Sequence, residues 1–77
     1  MSSLHIRTSE VLYFFHIRSG KLGYKDVVGQ YLSSPEEAKA QAAVVANDLA
    51  EDDDWGGYSV VVTDEHETEI AQVLISK

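Results

Sequence analysis

The chain has 77 residues, contains no cysteine and carries a formal net charge of −7 at pH 7. A chain of this length forms one domain, and without cysteine it has neither a disulfide framework nor a thiolate zinc site. No apolar run approaches the roughly 18 residues of a membrane-spanning helix and no secretory signal segment is present, so we expect a cytoplasmic protein with no membrane partner.

The charge is unevenly distributed along the chain. Residues 1–33 carry four cationic and two acidic side chains, for +2, whereas residues 34–77 carry two cationic and eleven acidic side chains, for −9. Binding of nucleic acid requires a concentrated cationic face that releases counterions. Because the cations are few and scattered, we expect no nucleic-acid partner, and we interpret the acidic half as a solvated surface.

The first ten residues differ from the remainder. Residues 1–10 show no clear periodicity and are rich in serine and threonine, which predicts a flexible leader with at most a short extended piece at 4–7. Residues 11–77 then form the single folded domain.

Residues 11–18 are aromatic and β-branched, the composition of a pleated strand. Their alternation places Val11, Tyr13, Phe15 and Ile17 on one face and Leu12, Phe14, His16 and Arg18 on the other. Both faces carry large apolar side chains, so we expect both to be covered. A turn follows at 19–21, and residues 22–28 are interpreted as a short second strand that pairs with the first and ends at Gly29.

A helix start is the clearest local signal. Ser34 is the expected N-cap, Pro35 suits the first helical position, and Glu37 completes a capping box. The helix should end near Glu51, before an acidic run. Its predicted buried stripe consists of Ala38, Ala42, Val45 and Leu49, with Ala46 at the edge.

Two further strands are predicted at 58–64 and 70–76, joined as a hairpin around 64–68. Trp55, in the turn that precedes them, is expected to pack against the end of the helix. The predicted class is α+β, a three- or four-stranded, mainly antiparallel sheet with one helix on one face, in the order β-(β)-α-β-β.

No residue type or spacing predicts a catalytic, cofactor-binding or metal site. The consecutive carboxylates at 51–54 lack the alternation, the glycine and the distal glutamate of a calcium loop. His66 is expected on an exposed turn. His16 has no Ser, Asp or Glu placed by sequence to complete a catalytic site, so we expect a partner-facing or structural histidine and a protein that is not an enzyme.

One helix covers only one face of a sheet, and the second face is therefore the predicted partner surface. Its expected occupant is a second copy in a homodimer, an unidentified protein partner, or the leader folding back. The candidate residues are Leu12, Phe14, His16, Arg18, Ile70 and Leu74.

Four segments carry a family resemblance. They are Tyr-Phe-Phe-His-Ile-Arg-Ser-Gly at 13–20, Asp26-x-x-Gly29-x-x-Leu32, the helix start Ser-Pro-Glu-Glu-Ala at 34–38, and Val-Val-Thr-Asp-Glu at 61–65. Over about residues 12–75 the chain resembles a family of very short bacterial proteins catalogued only as a domain of unknown function. It departs from that pattern in its ten-residue leader and in lacking a glycine in the last hairpin turn, at 66–68. The resemblance implies no activity, cofactor or catalytic residue.

More remotely, strands followed by a helix that opens on Ser-x-Glu-Glu-Ala are similar to HicB-type antitoxin domains, which bind a partner. The sequence thus predicts a small interaction or regulatory module, with a toxin-neutralising or nucleic-acid-linked regulator of HicB-like type as the alternative.

Overall fold

The sheet is built around one long strand. In the structure, a computed structural model that describes residues 10–75, nine consecutive residues form β1 (Val11–Ser19). Four shorter strands follow: β2 (Leu22–Tyr24), β3 (Gln30–Leu32), β4 (Ser59–Thr63) and β5 (Glu69–Leu74). A single α-helix within the described residues, α1 (Pro35–Ala50), lies between β3 and β4, and a short 3-10 helix (Asp53–Trp55) follows it.

All strand pairs are antiparallel. On one side β1 pairs with β4, which pairs in turn with β5. On its other side β1 pairs with two strands, β2 along residues 17–19 and β3 along residues 11–13. The predicted α+β class is confirmed.

The sheet has five strands rather than three or four, because β3 (Gln30–Leu32), beyond the predicted second strand at 22–28, was not predicted. Only Leu22–Tyr24 of the predicted 22–28 run is a strand. Residues 25–29 leave the sheet as a loop, and Gly29, with φ of 77°, returns the chain to β1 as β3. A strand of three residues is too short to show a periodicity of its own.

The helix begins as predicted. Ser34 accepts a hydrogen bond from the Glu37 N–H at 3.2 Å, and Pro35 occupies the first turn. The Glu37 carboxylate accepts in return from the Ser33 N–H at 3.0 Å, one residue before the N-cap. Glu51 is the C-cap, so the predicted end is also confirmed.

The core lies between α1 and one face of the sheet. Ala38 and Ala42 are fully buried, and their small side chains let the helix approach β4 and β5 closely. Val45, Ala46 and Leu49 pack in the same core, which confirms the predicted stripe. The sheet contributes Val11, Tyr13, Phe15 and Ile17 from β1, Val60 and Val62 from β4, and Ala71 and Val73 from β5.

A bulge in the β4–β5 hairpin changes the sheet face on which Ile70 lies. Val62 pairs with Ala71 but Thr63 pairs with Glu69, so Ile70 has no partner in the ladder. Ile70 packs against the core together with Ala71. The predicted alternation, which placed Ile70 on the opposite face with Leu74, is therefore wrong at Ile70, because a bulge interrupts the two-residue period.

The two turns outside the sheet also fit their predicted places. Trp55 packs against the core beside the helix end and makes edge-to-face contacts with Tyr24 and Tyr58, at ring-centroid distances of 5.4 and 5.3 Å. In the β4–β5 turn, His66 is exposed and Glu67 has φ of 66°, the left-handed region that favours glycine. This is the turn in which the resemblance led us to expect a glycine.

The predicted leader lies outside the described residues, except for Glu10. Within residues 10–75, no helix combines the length and the apolar character that a membrane crossing requires.

Candidate functional site

The loop at residues 25–29 is held to β1 by one carboxylate. Asp26 Oδ2 accepts a hydrogen bond from the Phe15 N–H at 3.0 Å, at the point where β1 has neither β2 nor β3 beside it. Asp26 Oδ1 accepts from the N–H groups of Val28 at 3.0 Å and Gly29 at 3.2 Å. The side chain thus replaces a missing strand partner and closes the loop as an Asx turn.

His16 completes this arrangement from the neighbouring position of β1. Its Nδ1 accepts a hydrogen bond from the Asp26 backbone N–H at 3.0 Å, and its Nε2 lies 3.0 Å from Thr63 Oγ1 on β4. A neutral imidazole carries one proton, so acceptance at Nδ1 places that proton on Nε2, which then donates to Thr63. His16 in this tautomer cannot act as a base toward the Thr63 hydroxyl.

The charge states of His16 and Asp26 follow from their surroundings. His16 is only 8% exposed, and burial, followed by the nearby positive charge of Arg18, lowers its pKa against the opposing effect of Asp26. Burial of Asp26 favours its neutral form, but the three backbone N–H donors outweigh this and lower its pKa. The site therefore combines a neutral imidazole with an ionised carboxylate near pH 7.

Gly29 is required where the loop rejoins the sheet. Its φ of 77° is strained for any residue with a Cβ. A Cβ there would lie 2.9 Å from Leu12 Cδ1, 3.0 Å from Phe14 Cε1 and 3.0 Å from the Tyr13 carbonyl oxygen. Asp26 and Gly29 therefore act together, the first closing the loop and the second permitting its close return.

An open cleft of about 590 Å³ lies beside the loop, on the sheet face opposite the helix. His16 and Thr63 contribute to its lining, but His16 Nε2 and Thr63 Oγ1 are hydrogen-bonded to each other, and His16 Nδ1 is bonded to the Asp26 N–H. Arg18, Lys21 and Lys25 also line it, with Glu65 and Glu67 from the β4–β5 turn. No three His, Cys, Asp or Glu side chains in residues 10–75 gather in a way that could hold a metal ion.

The exposed apolar side chains are concentrated along the edge of the sheet that β2, the loop at 25–29 and β3 form. Seven large apolar side chains are exposed among the described residues, and five of them fall within ten consecutive positions. The five, here called the apolar edge, are Leu22, Tyr24, Val27, Val28 and Tyr31. Val27 and Val28, at the tip of the loop, are 79% and 80% exposed.

The residues predicted for a partner surface have different environments. Phe14, His16 and Arg18 all line the cleft, with the Phe14 and His16 rings stacked at a centroid distance of 6.2 Å. His16 is buried, Leu12 and Phe14 are half-buried, and Arg18 is exposed. Leu74 is 63% exposed on β5, and Ile70 packs in the core on the other face.

Sequence reasoning did not identify Asp26 or Thr63 as partners of His16, nor did it find the apolar edge. The Asp-x-x-Gly spacing at 26–29 is a signal for an Asx turn closed by a glycine. The contact of His16 with Thr63 has no such signal, because 47 residues separate the two in sequence.

Comparison with known proteins yields one family. Neither a curated protein nor a solved structure matches the chain. The family described as Domain of unknown function (DUF6894) matches residues 12–76, which include the helix and all five strands except Val11, the first residue of β1. The chain therefore belongs to this family of unknown function.

Proposed function

We propose that this domain is a protein-interaction module without catalytic activity, and that its contact surface is the apolar edge. The observation that carries the proposal is the concentration of five of the seven exposed large apolar side chains of the described residues within positions 22–31. Exposed apolar side chains scattered singly need no explanation, whereas several gathered along one edge of a sheet are typical of an interaction site. Tyr24 lies on the helix side of this edge, opposite Ile17, and Tyr31 lies on the other side, opposite Leu12.

The rigidity of the loop supports the proposal. The backbone N–H groups of Val28 and Gly29 are bound to Asp26, and the Asp26 N–H is bound to His16. A loop held in this way loses little conformational entropy when a partner binds. Burying one of its valines would contribute roughly 1.5 kcal/mol, since its side chain is almost fully exposed beforehand.

The position of β2 and β3 also supports it. Within the described part of the chain, each of them pairs only with β1, so each leaves its other side unpaired. An unpaired strand edge offers N–H and C=O groups to an extended segment of another chain. Backbone hydrogen bonds and apolar side chains are thus available on the same edge.

The non-catalytic part of the proposal is supported by the tautomer of His16. Both of its ring nitrogens are used within the domain, one by the Asp26 N–H and one by Thr63. A general base needs a free nitrogen directed at the proton it removes. The cluster is better suited to holding the loop than to transferring a proton.

The test is quantitative affinity capture from an extract of the native cell with matched variants. Val27→Asp/Val28→Asp places two negative charges on the apolar edge, and Val44→Asp places one on the exposed back of α1, where Val44 is 51% exposed. We expect the wild type and the Val44 variant to retain the same protein and the loop variant to lose it, with all three equally folded by circular dichroism. A wild type that retains nothing above an empty matrix, or a loop variant that retains the same protein, would contradict the proposal.

A further inference from the structure

We infer, on the basis of the proposed function, that the apolar edge receives an extended segment of another protein in which carboxylates flank apolar residues. The inference names the chemistry of the partner and excludes a second copy of this chain at this edge. It rests on where the positive charge of the molecule lies.

Most cations among the described residues lie at one place. Residues 10–75 contain four cations and thirteen carboxylates. Three of the four cations, Arg18, Lys21 and Lys25, are exposed and line the cleft beside the apolar edge. Three carboxylates line the same cleft. That of Asp26 is directed inward to three backbone N–H groups, and those of Glu65 and Glu67 belong to the β4–β5 turn, on the far side of β1 from β2. On the described surface, this edge is therefore where the cations can attract an acidic partner.

The two lysines also stand directly before and after β2. Lys21 precedes Leu22 and Lys25 follows Tyr24. If two copies paired through β2 about a two-fold axis at Gly23, Lys21 of one copy would lie opposite Lys25 of the other. Like charges placed opposite each other in an antiparallel pair are destabilising, and lysines beside an edge strand are a common protection against self-pairing.

The same geometry favours an acidic segment. When an antiparallel strand is added to β2, one of its residues lies opposite Gly23. The residues two positions before and two positions after that one then lie opposite Lys25 and Lys21. Carboxylates at those two positions would meet the ammonium groups. The residues between them would lie opposite Leu22 and Tyr24, which are both exposed, so apolar side chains fit there.

The probe is a capped peptide, Gly-Glu-Val-Thr-Val-Glu-Gly, titrated into isotopically labelled full-length protein and followed by two-dimensional NMR. Two matched peptides are compared with it, one with both Glu replaced by Lys and one with the Val-Thr-Val centre replaced by three Gly. We expect shifts centred on residues 22–31, with the acidic peptide at least about tenfold tighter than the lysine peptide, as two opposed charge pairs at a surface suggest. The glycine peptide should bind more weakly than the acidic one.

A charge exchange completes the test. In the variant Lys21→Glu/Lys25→Glu, the preference should reverse, so that the lysine peptide binds more tightly than the acidic one. Equal binding of the two charged peptides in the wild type, or no shift at the edge with either, would overturn the inference. Neither outcome would contradict the proposed function, which is tested by affinity capture from the native extract with the Val27→Asp/Val28→Asp variant.

A second copy as the occupant is tested separately by light scattering at micromolar concentration. A dimer mass for the wild type that becomes a monomer mass in Val27→Asp/Val28→Asp would show a second copy at this edge and would overturn the inference. We expect no such change, because Lys21 and Lys25 repel their counterparts. Replacing both lysines with Thr should then allow self-association that the wild type does not show through this edge.

Discussion

Gly29 combines a positive φ of 77° with three atoms within about 3 Å of the place a Cβ would occupy, so two separate costs fall on any substitution there. For Gly29→Ala we expect a loss of about 2–3 kcal/mol in the free energy of unfolding, from the left-handed backbone together with overpacking against Leu12 and Phe14. Urea denaturation measures this change.

Gly20→Ala is the matched control for that measurement. Gly20 also has a positive φ, of 56°, but a Cβ there would meet nothing within 4 Å. Its expected cost is about 1 kcal/mol, from the backbone alone. Equal losses for the two variants would mean that the close return of the loop to β1 is not a constraint.

His16 predicts a dependence of stability on pH. Its pKa in the folded protein is lowered from the ordinary 6.5, chiefly by burial, so the unfolded state binds a proton more readily than the folded state. The contribution of neutral His16 to stability is therefore fully present above pH 6.5 and is lost as the pH falls through the lower pKa of His16 in the folded protein. The groups that face the imidazole with charge are Arg18, Lys25, Asp26 and Glu67.

We expect the free energy of unfolding to fall with decreasing pH below about 6.5, with a slope of at most ~1.4 kcal/mol per pH unit from this one group. The variant His16→Gln should lack this part of the slope in urea titrations at a series of pH values. Asp26 acts in a different window, because its lowered pKa gives stabilisation that is present above 3.8 and lost only below it. An unchanged slope between pH 6.5 and 5 in His16→Gln would contradict the assignment.

At the scale of elements, the N-terminus of α1 offers a single-bond test. Ser34→Ala removes the acceptor of the Glu37 N–H and should lower the free energy of unfolding by about 1 kcal/mol. Asn47→Ala, on the exposed side of the same helix, is the control, and there the change should stay within about 0.5 kcal/mol because no cap is lost. A denaturation midpoint that Ser34→Ala leaves in place would refute the capping role.

The elements that sequence predicts well are those whose signals are local. The start of α1 follows from Ser34, Pro35 and Glu37, because their roles are local. Ser34 and Glu37 each accept a hydrogen bond from a nearby backbone N–H, and Pro35 has no N–H to leave unpaired. The early end of β2 and the formation of β3 depend on contacts with β1, which no local pattern records. The position of Ile70 depends on a bulge opposite Val62 and Thr63, and the run 70–76 gives no sign of it.

At the scale of the whole molecule, the candidate site combines three parts of the chain. His16 on β1, Asp26 in the loop and Thr63 on β4 meet only after the sheet has formed. The sequence predicted a partner surface on the second sheet face, but the exposed apolar side chains lie mainly at the edge of the sheet. The difference arises because a loop is anchored beside β1, and that anchoring depends on side-chain hydrogen bonds rather than on hydrophobic alternation. Self-association, which the sequence also predicts, stays a prediction.

The distribution of charge over the whole molecule leads to a last prediction, on nucleic acid. The gathering of Arg18, Lys21 and Lys25 raises the question whether this edge binds phosphate. Three cations that each neutralise one phosphate would give a salt dependence with a slope of only about −2.7, and the resulting affinity would fall roughly 40-fold between 50 and 200 mM salt. The remaining surface carries a large excess of carboxylates, which repels the same polyanion.

We therefore expect no binding of a random DNA duplex or single strand tighter than about 100 μM at 150 mM salt, measured by fluorescence anisotropy with the full chain. Residual binding at 20 mM salt should disappear in Lys21→Glu/Lys25→Glu, because the edge then loses its positive charge. Sub-micromolar binding at 150 mM salt would contradict this prediction and would favour a nucleic-acid-linked regulator. Binding that survives the double substitution would place the phosphate contacts away from the edge.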